Sequence, residues 1–524
     1  MKKIYGLLIA STLMLGTGCD SGLLDIENPN EVTNTTYWLS ADDAQAGVNA
    51  CYSFLYKEGT WMRWLSFRYD LTSDEGWSSS PWIELGDWTR FLYNNYNFYE
   101  GNNVHWEHCY VGIFRCNQVL KNVPGIEMDE TLKNQALAEA SFLRALWYFQ
   151  VNLLWEKGTL ILEPQDANYI PSDASEAEIW EQIESDLLFA RDNLKESYDA
   201  ANLGRATKGA AKALLGKAYM QQGKFAEAKA ELEWLISREN ALYGLISNRE
   251  DNFTHLDENN KEGIFEIQFS DVNKGGTGND ASMAFGFQRT QFYAPSGIGW
   301  GDGKARRWLV DEFLKEKRAD GQNDLRLYAS ILYRGFSEDF PEQPVKYYGV
   351  ENADWNDSWG TDPEDCYIRK YNTSYYRDVE DYYAPNNYRI MRYADILMNY
   401  AECIVETGGT PADAAVHVDK VRERAGMSKL ADSQWSDCLN SKDAFMKRLQ
   451  IERTLELCFE GWRWADLKRW GLLDAQAGID ELKARDRDFD NFRIGKHRRM
   501  PIPTIEVEIS TVDDVPQLTQ NPAY

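Results

Sequence analysis

Histidine is scarce, five in 524 residues. It comes with no HExxH, no CxxC and no Cys/His spacing of a zinc site. HWEH at His105 and His108 comes nearest, but it implies no third ligand. Neither GxSxG nor GxxxxGK(S/T) occurs, which removes the nucleophile elbow and the P-loop. Gly276-Thr277-Gly278 with Ala281 mimics a dinucleotide fingerprint, yet it opens no helix and reads as a loop. Positive charge is also short. Lys and Arg number 56 against 83 Asp and Glu, a net charge of −27 that repels phosphate backbones and anionic lipid. Nucleic acid and electrostatic membrane attachment are therefore excluded. Long apolar runs are missing too. The longest, Ile4 to Leu15, is too short to span a bilayer.

That run follows Lys2 and Lys3 and leads through Gly16, Thr17 and Gly18 to Cys19, the plan of a secretory signal. A cysteine at that place resembles a lipobox and would become the diacylated N-terminus. An ordinary secretory signal is the alternative, and Gly16 departs from the usual leucine. Seven further cysteines form no framework. The count is odd, and Cys403 and Cys458 sit on apolar helix faces.

Helical patterning dominates the rest of the chain. Ser40 caps a helix through Ala44, Val48, Cys51 and Leu55, and further helices are predicted over Trp106–Val123, Ala136–Trp155 and Glu176–Leu194. Lys212, Leu215, Gly216, Tyr219, Ala228 and Leu232 keep the spacing of a tetratricopeptide repeat, with Gly216 as the small residue that lets two helices approach. In RYADILMNYAECIVE the apolar residues Ile390, Tyr393, Ala394, Leu397, Ala401 and Val405 form one stripe. Gly408 and Gly409 stop that helix. Thr410, Pro411 and Asp413 start the next, and Gly426 stops it. Arg448, Glu452, Arg453, Glu456 and Glu460 are spaced for i, i+4 pairs that would brace Trp462 and Trp464. A break at Gly461 then leads into an aromatic, basic hairpin. Ile264–Phe269 alternates like a strand, and Lys304–Phe313 looks helical.

RYADILMNYAE, ERTLELCFEGWRWADLKRWG, MPIP at Met500–Pro503 and LTQNPAY at the end, in that order, resemble the carboxyl half of the SusD/RagB family. Glu156–Leu162, where members often carry a Gly-Asp-x-Pro turn, and Ala523, where glycine is usual, depart from the pattern. The resemblance implies a mainly α fold, four tetratricopeptide-like helix pairs with long loop insertions and minor β. It implies a signal peptide over 1–18, a lipidated tether over 19–39, an N-terminal region over 40–260 and a C-terminal region over 261–524. It further implies an outer-membrane, cell-surface lipoprotein anchored only through the lipid on Cys19. Such a protein captures an oligosaccharide (a peptide in some members) for a SusC-like TonB-dependent transporter without chemical turnover. No cofactor is implied; structural calcium in the Asp- and Asn-rich loops stays open.

Three loop zones carry the ligand hypothesis. Trp61–Trp106 holds thirteen aromatics in 46 residues, about twice the chain's own 13%. Lys274–Gly303 and Tyr347–Tyr388 mix aromatics with Gly, Ser, Asn and Asp. An indole or phenol plane covers the C–H face of a sugar at low ordering cost, and Asp, Asn or Arg bonds the hydroxyl rim. The candidate ligand residues are Trp77, Trp82, Trp88, Tyr293, Trp300, Trp355 and Trp359, with Asp74 and Arg90 as polar partners. Two rivals stand beside this reading. A glycan hydrolase would use Asp74 or Glu75 as acid, and a helical-repeat scaffold would bind protein and no sugar.

Overall fold

The computed structural model describes residues 37–95, 100–272, 285–343, 346–351, 359–360 and 362–524. Helices start where local chemistry says they should. The Ser40 hydroxyl accepts the Asp43 N–H while the Asp43 carboxylate accepts the Ser40 N–H, a reciprocal cap that opens α1, Ala41–Tyr52. Trp64–Leu71 forms α2. Glu100–Asn122 forms α3 and Glu130–Trp155 forms α4. A second reciprocal cap, Ser175 with Glu178, opens α5, Glu176–Asn193. Lys208–Gln221 is α6 and Phe225–Ile236 is α7. Tyr393–Glu406, α8, hands over to α9, Pro411–Arg424, across the Thr410/Asp413 cap. Gly408 and Gly426, at φ +88° and +80°, take the left-handed stops that an L side chain resists. Lys442–Leu457 is α10.

These helices pack in chain order: α3 on α4, α4 on α5, α5 on α6, α6 on α7, α7 on α8 and α8 on α9, with α1 against α3 and α4 and α10 against α8 and α9. The pairs α4/α5, α6/α7 and α8/α9 thus form a stacked frame that continues from the N-terminal half into the C-terminal half. The close approach assigned to Gly216 is real. A Cβ there would stand 2.8 Å from the Leu232 side chain on α7. A tighter one joins α3 to α4, where a Cβ on Gly112 would stand 2.4 Å from the Trp147 ring.

Two short β elements cross between segments far apart in sequence. Strand β1, Gly76–Trp77, pairs with β3, Lys304–Ala305. Strand β3 pairs with β5, Cys366–Ile368, and β5 with β4, Ile331–Tyr333, all antiparallel. Strand β2, Gly263–Ile267, pairs with β6, Tyr388–Arg392. Strand β2 is buried along nearly its whole length rather than on alternate faces, because β6 covers its edge and α4 reaches it through the Phe142–Phe265 contact. Lys304 and Ala305 are strand, and the helix predicted there begins at Arg307. After Gly461 comes a helix, α11 (Arg463–Arg469), in place of the expected hairpin, because Arg463 and Arg469 find buried carboxylate partners on one short turn structure.

Charge is carried deep into this frame. Glu452 and Glu456 on α10 are fully buried and meet Arg326, Arg422 and Arg448, and Arg249, Arg392 and Arg424, respectively. The cations hold Glu456 well below the ordinary carboxylate range although burial alone would raise it. On α6, Lys217 reaches Asp395 at 2.7 Å and lies 3.4 Å from the centre of the Trp462 ring. Trp462 is fixed a second time by its Nε1–H on the Ile390 carbonyl at 2.7 Å.

Candidate functional site

The sheet β1-β3-β5-β4 is what gathers the three aromatic zones. Strand β1 carries Trp77 from the first, β3 follows the loop of the second, and β5 belongs to the third. Main-chain bonds extend the join, Arg306 N–H to the Glu75 carbonyl at 2.7 Å and Glu380 N–H to the Ile298 carbonyl at 3.1 Å.

Beneath the surface lies a raft of edge-to-face rings. Trp64 meets Trp82 at 4.7 Å and Trp88 at 6.0 Å, and Phe67 meets Phe292 at 5.1 Å and Tyr293 at 5.2 Å. The Arg63 guanidinium bridges them, 5.1 Å from the Trp64 ring centre and 5.4 Å from that of Phe292. Burial pushes that guanidinium down to about 10. On the raft stand Trp300, 48% exposed, and the half-buried Tyr382, edge-on to one another at 5.4 Å and both edge-on to Phe292. Trp82 is half-buried beside the exposed Ile83.

The loops bearing these rings are stitched down. Trp300 N–H donates to the Gln291 carbonyl at 2.9 Å, Gly301 N–H to that of Ala294 at 2.8 Å and Asp302 N–H to that of Phe292 at 2.7 Å. Trp82 N–H donates to the Ser80 hydroxyl at 3.1 Å. Burial raises the Asp302 carboxyl, against a smaller pull from Ser80. Trp77, half-buried, donates its Nε1–H to the Ala305 carbonyl at 3.2 Å and lies under the Lys304 ammonium, itself 2.5 Å from Asp365. The arrangement can offer flat apolar faces beside the half-buried Ser80 hydroxyl. Among the described residues it brings no nucleophile against a general base.

The candidate residues divide. Trp82 and Trp300 reach the surface, and Trp77 stands at its edge. Arg90 is exposed but folds back on the Gly86 carbonyl at 3.0 Å. Four belong to the interior, a correction to the loop assignment. Trp88 is 1% exposed and sits under the Arg68 guanidinium. Tyr293 is 3% exposed, and its hydroxyl donates to Asp70 at 2.9 Å. Trp359 is 6% exposed against Tyr347. Asp74 is wholly buried between Arg463 and Arg485. Trp88 and Tyr293 sit on short helices, Ile83–Thr89 and Arg289–Tyr293, and with Trp359 they join the same hydrophobic core as the frame. Trp355, Cys19 and Gly276–Ala281 lie outside the described residues. Phe292, Arg63, Ser80, Asp302 and Tyr382 were missed. Only Tyr382 and Phe292 carried a signal, their place in the aromatic zones.

The rival sites resolve structurally. Glu75 is buried and accepts the Phe459 N–H at 3.1 Å, so the pair Asp74/Glu75 faces protein, not a substrate cleft. Burial, with the Asp74 charge alongside and against the pull of Arg463, pushes Glu75 up to about 8. His105 and His108 both clamp the Gly59 peptide, His105 at its carbonyl and His108 at its N–H.

Residues 261–524 match the family model described as SusD family, and residues 23–220 match one described as starch-binding associating with outer membrane. A SusD-like protein of Formosa agariphila is 26% identical over the whole of both chains. A SusD superfamily protein of Bacteroides vulgatus superposes with a TM-score of 0.79 at 24% identity, covering 93% of this chain and 100% of that one. A laminarin-binding SusD-like protein does so with a TM-score of 0.74 at 26% identity, over 93% and 100% of the two chains.

Proposed function

Because the chain belongs to the SusD family, whose members are non-catalytic binding proteins, we propose that it captures an oligosaccharide at the cell surface on the face formed by Trp82, Trp300 and Tyr382. The observation that carries this reading is the exposure of Trp300 on a fully packed aromatic base, with its loop held at three main-chain bonds. A plane so fixed loses little freedom when a sugar ring stacks on it, which is how a neutral, strongly hydrated ligand is held at all. Ser80, half-buried on the Trp82 loop, supplies a hydroxyl near these rings, while Asp302 and the Lys304/Asp365 pair are buried beneath the face. The similarity to a laminarin-binding relative favours a glucan among saccharides. Cys19 is the proposed lipid anchor to the outer membrane, and a SusC-like TonB-dependent transporter the proposed recipient. Capture without turnover fits a site of stacking planes with no reacting pair among the described residues.

A glycan array read with the mature chain, beside a Trp82→Ala/Trp300→Ala double variant, tests the reading. Expected is a saccharide signal that the double variant loses while its unfolding curve stays put. A signal unchanged in the double variant, or new reducing ends from any bound polysaccharide, would overturn it.

A further inference from the structure

Away from the raft, a cavity of about 740 Å³ opens where the helix Arg307–Leu314 faces the turn Ser433–Asn440 and the start of α10. Its volume falls in the range of small-ligand pockets, roughly 300–1,000 Å³. It shares no lining residue with the aromatic raft. Two half-buried indoles, Trp308 and Trp435, belong to its wall.

Each indole is held in the same manner, on one face and at its nitrogen. The Arg448 guanidinium lies 4.5 Å from the ring centre of Trp435, and the Arg485 guanidinium 5.1 Å from that of Trp308. Trp435 Nε1–H donates to Glu316 at 2.8 Å, and Trp308 Nε1–H donates to the Asp74 carbonyl. Both guanidiniums are themselves anchored. Arg448 reaches Glu452 at 2.6 Å, and Arg485 reaches Glu481 at 2.6 Å and Asp74 at 3.3 Å. A ring fixed by a guanidinium at one face and by a bond at its nitrogen has little rotational freedom left, and both guanidiniums line the cavity beside the rings they hold.

The wall supplies the second half of sugar chemistry. Asp311, Gln434, Asp437 and Lys447, all exposed, put two carboxylates, an amide and an ammonium around the indoles; Asp311 also pairs with Arg307 at 3.0 Å, and Gln434 Nε2–H donates to the Lys315 carbonyl at 2.8 Å. Flat apolar plates among alternating donors and acceptors match a pyranose, which has C–H faces and a hydroxyl rim. An apolar peptide face would forgo the hydrogen bonds that these polar groups can still make.

We infer that the Trp308/Trp435 cavity is a second saccharide-binding site, separate from the face of Trp82 and Trp300. It rests on the proposed function only for the class of ligand. A chain with one plate on the raft and another here would hold a polysaccharide at two points, gaining avidity without tighter single contacts.

The test is isothermal titration of the whole chain with laminari-, cello-, xylo-, manno- and galacturono-oligosaccharides. The variants are Trp300→Ala, Trp435→Ala, Trp435→Phe and the double Trp300→Ala/Trp435→Ala. Expected is a second bound equivalent in the wild type that Trp435→Ala removes and Trp435→Phe retains, with no binding in the double variant. A single equivalent that Trp300→Ala abolishes and Trp435→Ala leaves intact overturns the second site and keeps the first. A single equivalent lost only with Trp435→Ala keeps this site and overturns the raft. A wild type that takes none of the panel overturns both.

Discussion

Arg463 grips Asp74 with two prongs, Nε to Oδ1 at 2.6 Å and Nη2 to Oδ2 at 2.7 Å, across 389 residues of sequence. The pair is shut away from water, and Thr454 accepts a third bond from the same guanidinium at 2.6 Å. One short α11 side chain thereby locks the turn that precedes β1, and with it the first aromatic zone.

Asp74→Asn is expected to destabilise the fold by about 3–5 kcal/mol, since it leaves a buried guanidinium without its counter-charge. Urea unfolding at neutral pH measures it. Burial alone would raise the Asp74 carboxyl, but Arg463 and Arg485 overrule it and hold it below the ordinary 3.8. Its contribution is therefore present above that value and fades as pH falls through the depressed one.

Glu75 behaves in the opposite sense. Its folded value of about 8 lies above the ordinary 4.5. Stability is fully retained below the ordinary value and declines as pH rises through the window up to the raised one. Glu75→Gln keeps an acceptor for the Phe459 N–H and carries no charge. The variant should lose its own share of that decline, becoming more stable than the wild type near about pH 8 and similar to it near about pH 4. Denaturation midpoints at the two values read this directly.

Trp300→Ala and Trp88→Ala separate plate from core. Removing the exposed Trp300 should weaken oligosaccharide binding by roughly 2 kcal/mol or more, the scale of a hot spot, with the melting temperature little changed. Removing the buried Trp88 should cost about 3–5 kcal/mol of stability through the cavity it leaves. Titration calorimetry and thermal unfolding on both proteins make the comparison.

Gly112→Ala sets helix propensity against packing. Alanine favours the helical backbone by up to about 1 kcal/mol, but its Cβ would stand 2.4 Å from the Trp147 ring. Overpacking of this kind costs about 1–3 kcal/mol, so a net loss of stability is expected. Trp147→Leu costs stability of its own through the cavity it leaves, but it vacates the contact, so in a double-mutant cycle the two losses together should fall short of their sum.

The frame was legible in the sequence because its signals are local. Ser40 and Thr410 are caps read within four residues, and Gly408 and Gly426 are stops read at one. Arg448 and Glu452 are an i, i+4 pair and meet at 2.6 Å. The site was half legible. Trp82 and Trp300 could be singled out as aromatics in loops, but so were Trp88 and Tyr293, whose burial depends on which distant ring covers them. Asp74 carried no trace of Arg463, and Trp308 and Trp435 lay outside the aromatic zones. Exposure is a property of what packs above a residue, and no local window contains that.

The pairing of Gly76–Trp77 with Lys304–Ala305 makes the proposed binding face a seam between the two halves of the polypeptide. Neither half alone would present that face, which assembles only once the later half has docked on the earlier one.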